Sequence, residues 1–213
     1  MTFIMCHAGT EPIIERLTPF WALMGQPLIF VSPVDSRVKT PHVNVYIGGN
    51  GHHVPGSGER LDWILGTTVA GPDQSCYIFE YDSFCIRKPE IKGKGLYGIT
   101  FKCGPYDILA QRYAIHPWIL DRDSALKILV KARKYPFMGD WFMDRMMCGW
   151  AQLAGVPLIG TYGQAYGCRE ITEVKLKHIE RLYETHRLNW FHGIKNAAIV
   201  DAILNLDKQC KVP

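Results

Sequence analysis

The sequence predicts an α/β protein built around one mostly parallel sheet. Two observations carry this. Apolar runs of strand length alternate with longer helical stretches through the first half of the 213-residue chain. The first three of these segments, TFIMCHAG (2–9), EPIIERLTPFWALMG (11–25) and PLIFVSPVD (27–35), form a β-α-β unit. Such a unit closes as a parallel pair with a right-handed crossover. No internal repeat, low-complexity tract or linker interrupts the chain, so residues 1–213 are expected to form one domain.

The elements follow in order. The run 2–9 ends in a turn at its glycine, and the helix over 11–25 tolerates Pro19 and closes at Gly25. The run 27–35 is stopped by S-P-x-D. VNVYIGG (43–49) reads as a third strand, followed by a glycine- and histidine-rich loop, and GERLDWILGTTVAG (58–71) as a helix. CYIFEYDSF (76–84), LYGITFKCG (96–104) and RYAIHPWIL (112–120) have strand composition. DSALKILVKARK (123–134) is a helix capped by Asp or Ser with a basic last turn. Helices are also expected at 139–155, 172–187 and 195–209, with a short strand, VPLIG, at 156–160. Strands alternating with helices place helices on both faces of the sheet.

Composition narrows the function. A hydrophobic content of 47% and a charged content of 21% are those of a globular protein. The net charge of +4 suits anionic small ligands but lacks the dense basic stripe of a nucleic-acid binder, so no nucleic-acid partner is expected. No apolar run of membrane-spanning length occurs, and MTFIMCHAGTEP has neither the basic region nor the cleavage site of a signal peptide. A cytoplasmic monomer is the expectation. The seven cysteines include no C-x-x-C pair, which argues against a disulfide scaffold or structural zinc.

The candidate chemistry lies in two stretches. In EYD, Glu80 and Asp82 flank Tyr81 where an apolar run ends, and alternation along a strand would aim both acids the same way. A carboxylate pair beyond the carboxyl end of a strand suits Mn²⁺ or Mg²⁺. The same residues also fit a solvated strand end, or an ion pair with Arg87 or Lys88. In NWFHGIKNA, His192 and Lys195 flank Gly193 ahead of a helix. Histidine is a ligand for Mn²⁺ and lysine a point charge for phosphate, although a capped helix start with a surface lysine and a partly buried histidine is the commoner reading of this stretch taken alone. Together the stretches suggest a metal held by Asp82, Glu80 and His192, with Lys195 on the phosphates of a nucleoside diphosphate leaving group.

The succession SPVD, FEYDSF, GDWFMDR and HGIK resembles that of GT-A-fold glycosyltransferases, over nearly the whole chain. The resemblance implies a Rossmann-like sheet, a UDP-sugar donor and a D-x-D metal motif, here EYD with Glu80 in the first position. It implies that His7, Ala8, Gly9, Ser32, Pro33 and Asp35 surround the nucleoside, with Tyr81 beside them. Arg37 and Arg60 would face the pyrophosphate or hold Asp82. Asp140 would act on the reacting sugars, whereas Asp144 would pair with Arg145 or Lys134 or meet water. HGIK is similar to a histidine-lysine element of retaining members, with shorter spacing. More narrowly, the chain resembles the N-terminal glycosyltransferase domains of chlorovirus proteins that build capsid glycans. That implies a piece of a longer polypeptide, glucose or rhamnose as the sugar, a glycan or glycoprotein acceptor, and the host cytoplasm.

Two further functions fit less of the sequence. A sugar-1-phosphate nucleotidyltransferase of similar topology would carry a glycine-rich basic motif after the first strand, where this chain reads CHAGTEPIIER. A nucleic-acid or structural viral binding module would rest on the basic helices alone. Trp118, Trp141, Tyr162 and Trp190 are expected in the core or against sugar rings. Cys148 has no paired histidine that would make it a nucleophile.

Overall fold

The computed structural model describes residues 1–49, 56–102, 112–136, 143–161, 163–165, 177, 181, 190–195 and 197–209. In chain order these form β1 (Thr2–Met5), α1 (Glu11–Ala22), β2 (Leu28–Ser32), β3 (Val43–Tyr46), α2 (Gly56–Ala70), β4 (Ser75–Glu80) and β5 (Phe84–Cys85). There follow β6 (Leu96–Lys102), β7 (Arg112–Asp121), α3 (Arg122–Lys134), α4 (Met143–Leu153), β8 (Leu158–Thr161), β9 (Gly163–Ala165), β10 (Trp190–His192) and α5 (Ala197–Gln209).

Seven strands form one sheet in the order β3-β2-β1-β4-β7-β6-β8. All neighbours are parallel except those of β7, which runs against both β4 and β6. The expected mostly parallel α/β sheet is therefore the observed one. Its strands are apolar on both sides because helices cover both faces. Ile4, Phe30, Tyr77 and Phe79 pack with Ile14, Leu17 and Trp21 of α1 and Ile199 and Ile203 of α5. Phe3, Met5, Val31 and Ile78 face the other way, onto Leu61 and Ile64 of α2, Ile128 of α3 and Met147 of α4. Among the described residues no helix is long and apolar enough to cross a membrane.

The structure departs from the sequence expectation in three places. The run 76–84 is not one strand. β4 stops at Glu80, and Ser83 closes a tight turn: its backbone N–H donates to the Glu80 carbonyl at 2.9 Å, and its hydroxyl accepts from the Glu80 N–H at 2.8 Å. A hydroxyl that satisfies the last strand residue ends the strand there. A second sheet, β5-β10-β9, also forms, with β10 holding the WFH of the HGIK stretch. Three-residue strands carry no readable periodicity. The cap of α3 is Asp121 rather than a residue of 123–124, its carboxylate accepting from the Ser124 N–H at 2.9 Å and the Gly95 N–H at 2.8 Å. Of the remaining expected helices, the start of 139–155 and almost all of 172–187 lie outside the described residues.

Candidate functional site

Because β1, β2 and β4 are parallel, their carboxyl ends share one edge of the sheet. This brings 6–9, 33–37 and 80–83 together, where an open α/β sheet binds ligands. The antiparallel register of β7 on β4 pairs Ile78 with Trp118. Two residues beyond Trp118, His116 comes to 3.8 Å from Glu80 at the end of β4. β10 enters through its pairing with β5, cemented by Phe84 stacking on Phe191 at 4.8 Å and on Phe20 at 4.7 Å. The Ile194 N–H donates to the Asp82 carbonyl at 3.0 Å, tying HGIK to EYD. Gly193, at φ +80°, makes the left-handed turn between His192 and Lys195 that a side chain would strain.

The result is a compact polar cluster. Glu80 Oε2 lies 3.7 Å from His192 Nε2 and 3.8 Å from His116 Nδ1, and the ligand atoms of these three residues lie within 4.8 Å of one another. His116 Nδ1 is 3.2 Å from Asp144 Oδ1. Asp82 Oδ2 lies 3.7 Å from Lys195 Nζ, which also sits 5.9 Å over the Tyr81 ring. His116 is fully buried and rests on the Trp118 indole, the ring centroids 3.7 Å apart.

Several ligand atoms here are buried with no hydrogen-bond partner: both nitrogens of His116, His192 Nδ1, Asp82 Oδ1 and Asp144 Oδ1. Each orphaned buried polar atom costs about 1–3 kcal/mol. Two ligands of one ion, each about 2.1 Å from it, stand roughly 3–3.6 Å apart. The observed 3.7 and 3.8 Å separations from Glu80 are a few tenths of an ångström beyond this, and the two imidazole nitrogens lie within 4.8 Å of each other. Oxygen and imidazole donors, orphaned and spaced in this way, fit a divalent cation.

The electrostatics agree. Burial pushes the Glu80 carboxyl up to about 7 against the pull of His116, with Asp82 and Asp144 adding to the rise. Burial also raises Asp144 to about 6 and lowers His116 to about 4. Burial opposes the charge on Lys195, but Asp82 and Tyr81 outweigh it and the net shift is upward. A cation must displace the proton from Glu80, whereas His116 is already neutral at pH 7. The apparent affinity for Mn²⁺ should therefore hold level above pH ~7 and fall by up to about tenfold per unit as pH drops below it. Competitive Mn²⁺ titration at a series of pH values checks this, and a flat profile through pH 7 contradicts it.

The sequence-derived candidates are distributed as follows. Glu80, His192, Tyr81, Asp82 and Lys195 are brought together. The metal-ligand group found among the described residues contains Glu80 and His192, adds His116, and does not include Asp82, which faces Lys195 instead. His7 packs edge-on against Tyr81 at 4.9 Å. The Ala8 N–H donates to Ser36, Gly9 is exposed at φ +89°, and the Ser32 hydroxyl accepts from the Val38 N–H, so these line the same edge. Asp35 is exposed in the turn after β2. Arg60 is buried, and its guanidinium donates to the carbonyls of Ile47 and Gly49 and to the Ser57 hydroxyl, bracing the β3–α2 connection. Arg37 donates to the Val34 carbonyl and covers the Tyr46 ring. The cation beside Asp82 is thus Lys195. Asp144, expected to meet Arg145, Lys134 or water, turns to His116. Trp118 and Trp190 are core, and Cys148 is buried against the Ala114 backbone. Asp140, Trp141, Tyr162, His52 and His53 lie outside the described residues.

His116 is the residue sequence reasoning missed. Its signal was a lone histidine inside an apolar strand run, RYAIHPWIL.

No protein-family model matches the chain, and no curated protein matches it. Among solved structures, the backbone is similar to that of 2-C-methyl-D-erythritol 4-phosphate cytidylyltransferase from Thermus thermophilus. The TM-score is 0.44 and the identity 11%, covering 85% of this chain and 98% of that one. It is also similar to a nucleoside-diphosphate-sugar pyrophosphorylase from Vibrio cholerae, with a TM-score of 0.46 and 8% identity over 75% of this chain and 91% of that one. At these TM-scores the likeness carries no weight on function, which rests on the side chains above.

Proposed function

We propose that the protein is a metal-dependent transferase acting on a nucleoside diphosphate sugar, and that the group it transfers is the sugar. The observation that carries this is the grouping of Glu80, His116 and His192 with the Asp82–Lys195 pair at the carboxyl edge of the sheet. A cation held by Glu80, His116 and His192, Mn²⁺ above all, would supply positive charge where the departing diphosphate becomes more negative. Lys195 is half exposed and reaches the same place, so it contributes a second charge and a donor to a phosphate oxygen. Asp82, buried beside it, orients that ammonium. The nucleoside is assigned to the edge formed by His7, Ala8, Gly9, Ser32 and Asp35, with UDP as the nucleotide. By the GT-A resemblance, Asp140 serves the reacting sugars with retention of configuration. Glucose and rhamnose are the sugars to try first, with a viral-type glycan as acceptor.

Lys195→Ala should weaken UDP binding in Mn²⁺ by about 1.5–3 kcal/mol, roughly ten- to a hundredfold, the worth of a hydrogen bond to a charged group. Calorimetry on the two proteins measures it, and unchanged affinity would remove Lys195 from the phosphate site.

Nucleotidyl transfer to a sugar phosphate is the second reading. A cation held by Glu80, His116 and His192 would serve phosphate groups in that reaction as well. Against it stands the turn after β1, CHAGTEPIIER, with one glycine and no lysine to hold a triphosphate. One pair of assays separates the readings. The first reading expects Mn²⁺-dependent release of UDP from UDP-glucose or UDP-rhamnose. The second expects pyrophosphate from UTP and a sugar 1-phosphate, with no UDP released from the nucleotide sugars.

A further inference from the structure

We propose that Glu80, His116 and His192 form a preassembled centre that takes a divalent 3d cation before any nucleotide arrives and discriminates against Mg²⁺. The inference rests on the metal site of the proposed function and adds to it an order of binding and a class of metal.

The argument starts from ligand count. A site whose protein ligands are one or two carboxylates holds a cation weakly until substrate phosphates complete the shell. Here three side chains from three different strands already converge. Glu80 ends β4, His116 lies within β7 and His192 ends β10, and their ligand atoms lie within 4.8 Å of one another.

The second step is donor type. Two of the three donors are imidazole nitrogens. Mg²⁺ prefers oxygen and keeps its waters, whereas Mn²⁺, Co²⁺ and Zn²⁺ accept imidazole readily. The third step is preorganisation. His116 is fully buried, its ring lies on Trp118 at 3.7 Å, and neither of its nitrogens has a hydrogen-bond partner. Asp144 Oδ1 lies 3.2 Å from His116 Nδ1 and offers a further oxygen donor beside it, and β7 is an inner strand of the sheet. A ligand fixed in this way loses little freedom when the cation binds, and the orphaned nitrogen gains a partner. Asp82, the acid the sequence pattern favoured, is left to hold Lys195 for the phosphates.

The test uses the 213-residue protein and metal salts alone. MnCl₂ and MgCl₂ are titrated separately by calorimetry with no nucleotide, and the Mn²⁺-loaded protein is examined for imidazole ¹⁴N couplings by electron spin-echo spectroscopy. The expected result is saturable one-to-one Mn²⁺ binding, nitrogen modulation in the spectrum, and no displacement by millimolar Mg²⁺. His192→Ala, at a partly exposed position, should weaken Mn²⁺ by about tenfold or more while leaving the melting temperature near that of the natural chain. His116→Gln, at the buried position, should do the same to the affinity and lose part of the ¹⁴N signal.

Mn²⁺ binding that appears only with UDP, Mg²⁺ bound as tightly as Mn²⁺, or His192→Ala with unchanged Mn²⁺ affinity would each overturn the proposal. The outcomes separate from those of the proposed function. Metal binding without any UDP binding would keep this centre and end the transferase reading, and UDP binding without prior metal binding would do the reverse.

Discussion

Glu80→Gln is expected to bind Mn²⁺ at least about tenfold more weakly than the natural chain, and to lose metal-dependent UDP binding with it. The substitution keeps the shape of the side chain and removes its charge. Glu80 lies within 4 Å of both histidines, at 3.7 and 3.8 Å, so in the proposed centre it is the anchor. It is also the only carboxylate in the three-residue group, and without it the cation would meet two imidazoles alone. The fold should not suffer. Burial raises the Glu80 carboxyl to about 7, so near neutral pH the metal-free protein already holds it about half protonated, and a neutral amide of the same shape should be tolerated. Metal titration and thermal melting on the same preparation read both halves. Undiminished Mn²⁺ affinity would remove Glu80 from the centre, leaving Asp82 as the candidate ligand.

Trp21→Ala should lower the melting temperature by on the order of 10 °C, from about 3–5 kcal/mol of lost packing. The indole of Trp21 is fully buried and packs against Phe30 and Phe79, with centroids at 6.0 and 6.4 Å. Its Nε1–H donates to the Ser83 carbonyl at 2.9 Å. Ser83 closes the turn that ends β4, so Trp21 on α1 holds in place the loop carrying Glu80, Tyr81 and Asp82. Removing the ring opens a cavity and orphans that carbonyl. Trp21→Phe separates the two effects. It keeps most of the volume and loses the hydrogen bond, at about 1–3 kcal/mol, with a weaker grip on UDP. A melting temperature within a degree or two for Trp21→Ala would show that α1 does not support the site.

The sheet was legible because its signals are local. TFIMC and PLIFV are apolar on both faces, and the charged helices between them are long enough to cover them. The acids of EYD and the histidine and lysine of HGIK were legible because they interrupt apolar runs. What escaped was set by register and by short-range capping. Nothing in RYAIHPWIL tells which strand β7 will pair with, and only the pairing of Ile78 with Trp118 places His116 against Glu80. Likewise the break after Glu80 depends on the Ser83 hydroxyl, which a strand-like composition conceals. A signal for Asp144 did exist. It lies three, four and seven residues before Met147, Cys148 and Ala151, all buried, which puts an acid on the inward stripe of α4.

The most direct test is a calorimetric titration of UDP into the protein, once in Mn²⁺ and once in EDTA. A metal-dependent nucleoside diphosphate site should give one-to-one binding in the micromolar range, about −8 kcal/mol, in Mn²⁺ and none in EDTA. Equal binding in both, or no binding in either, would contradict it.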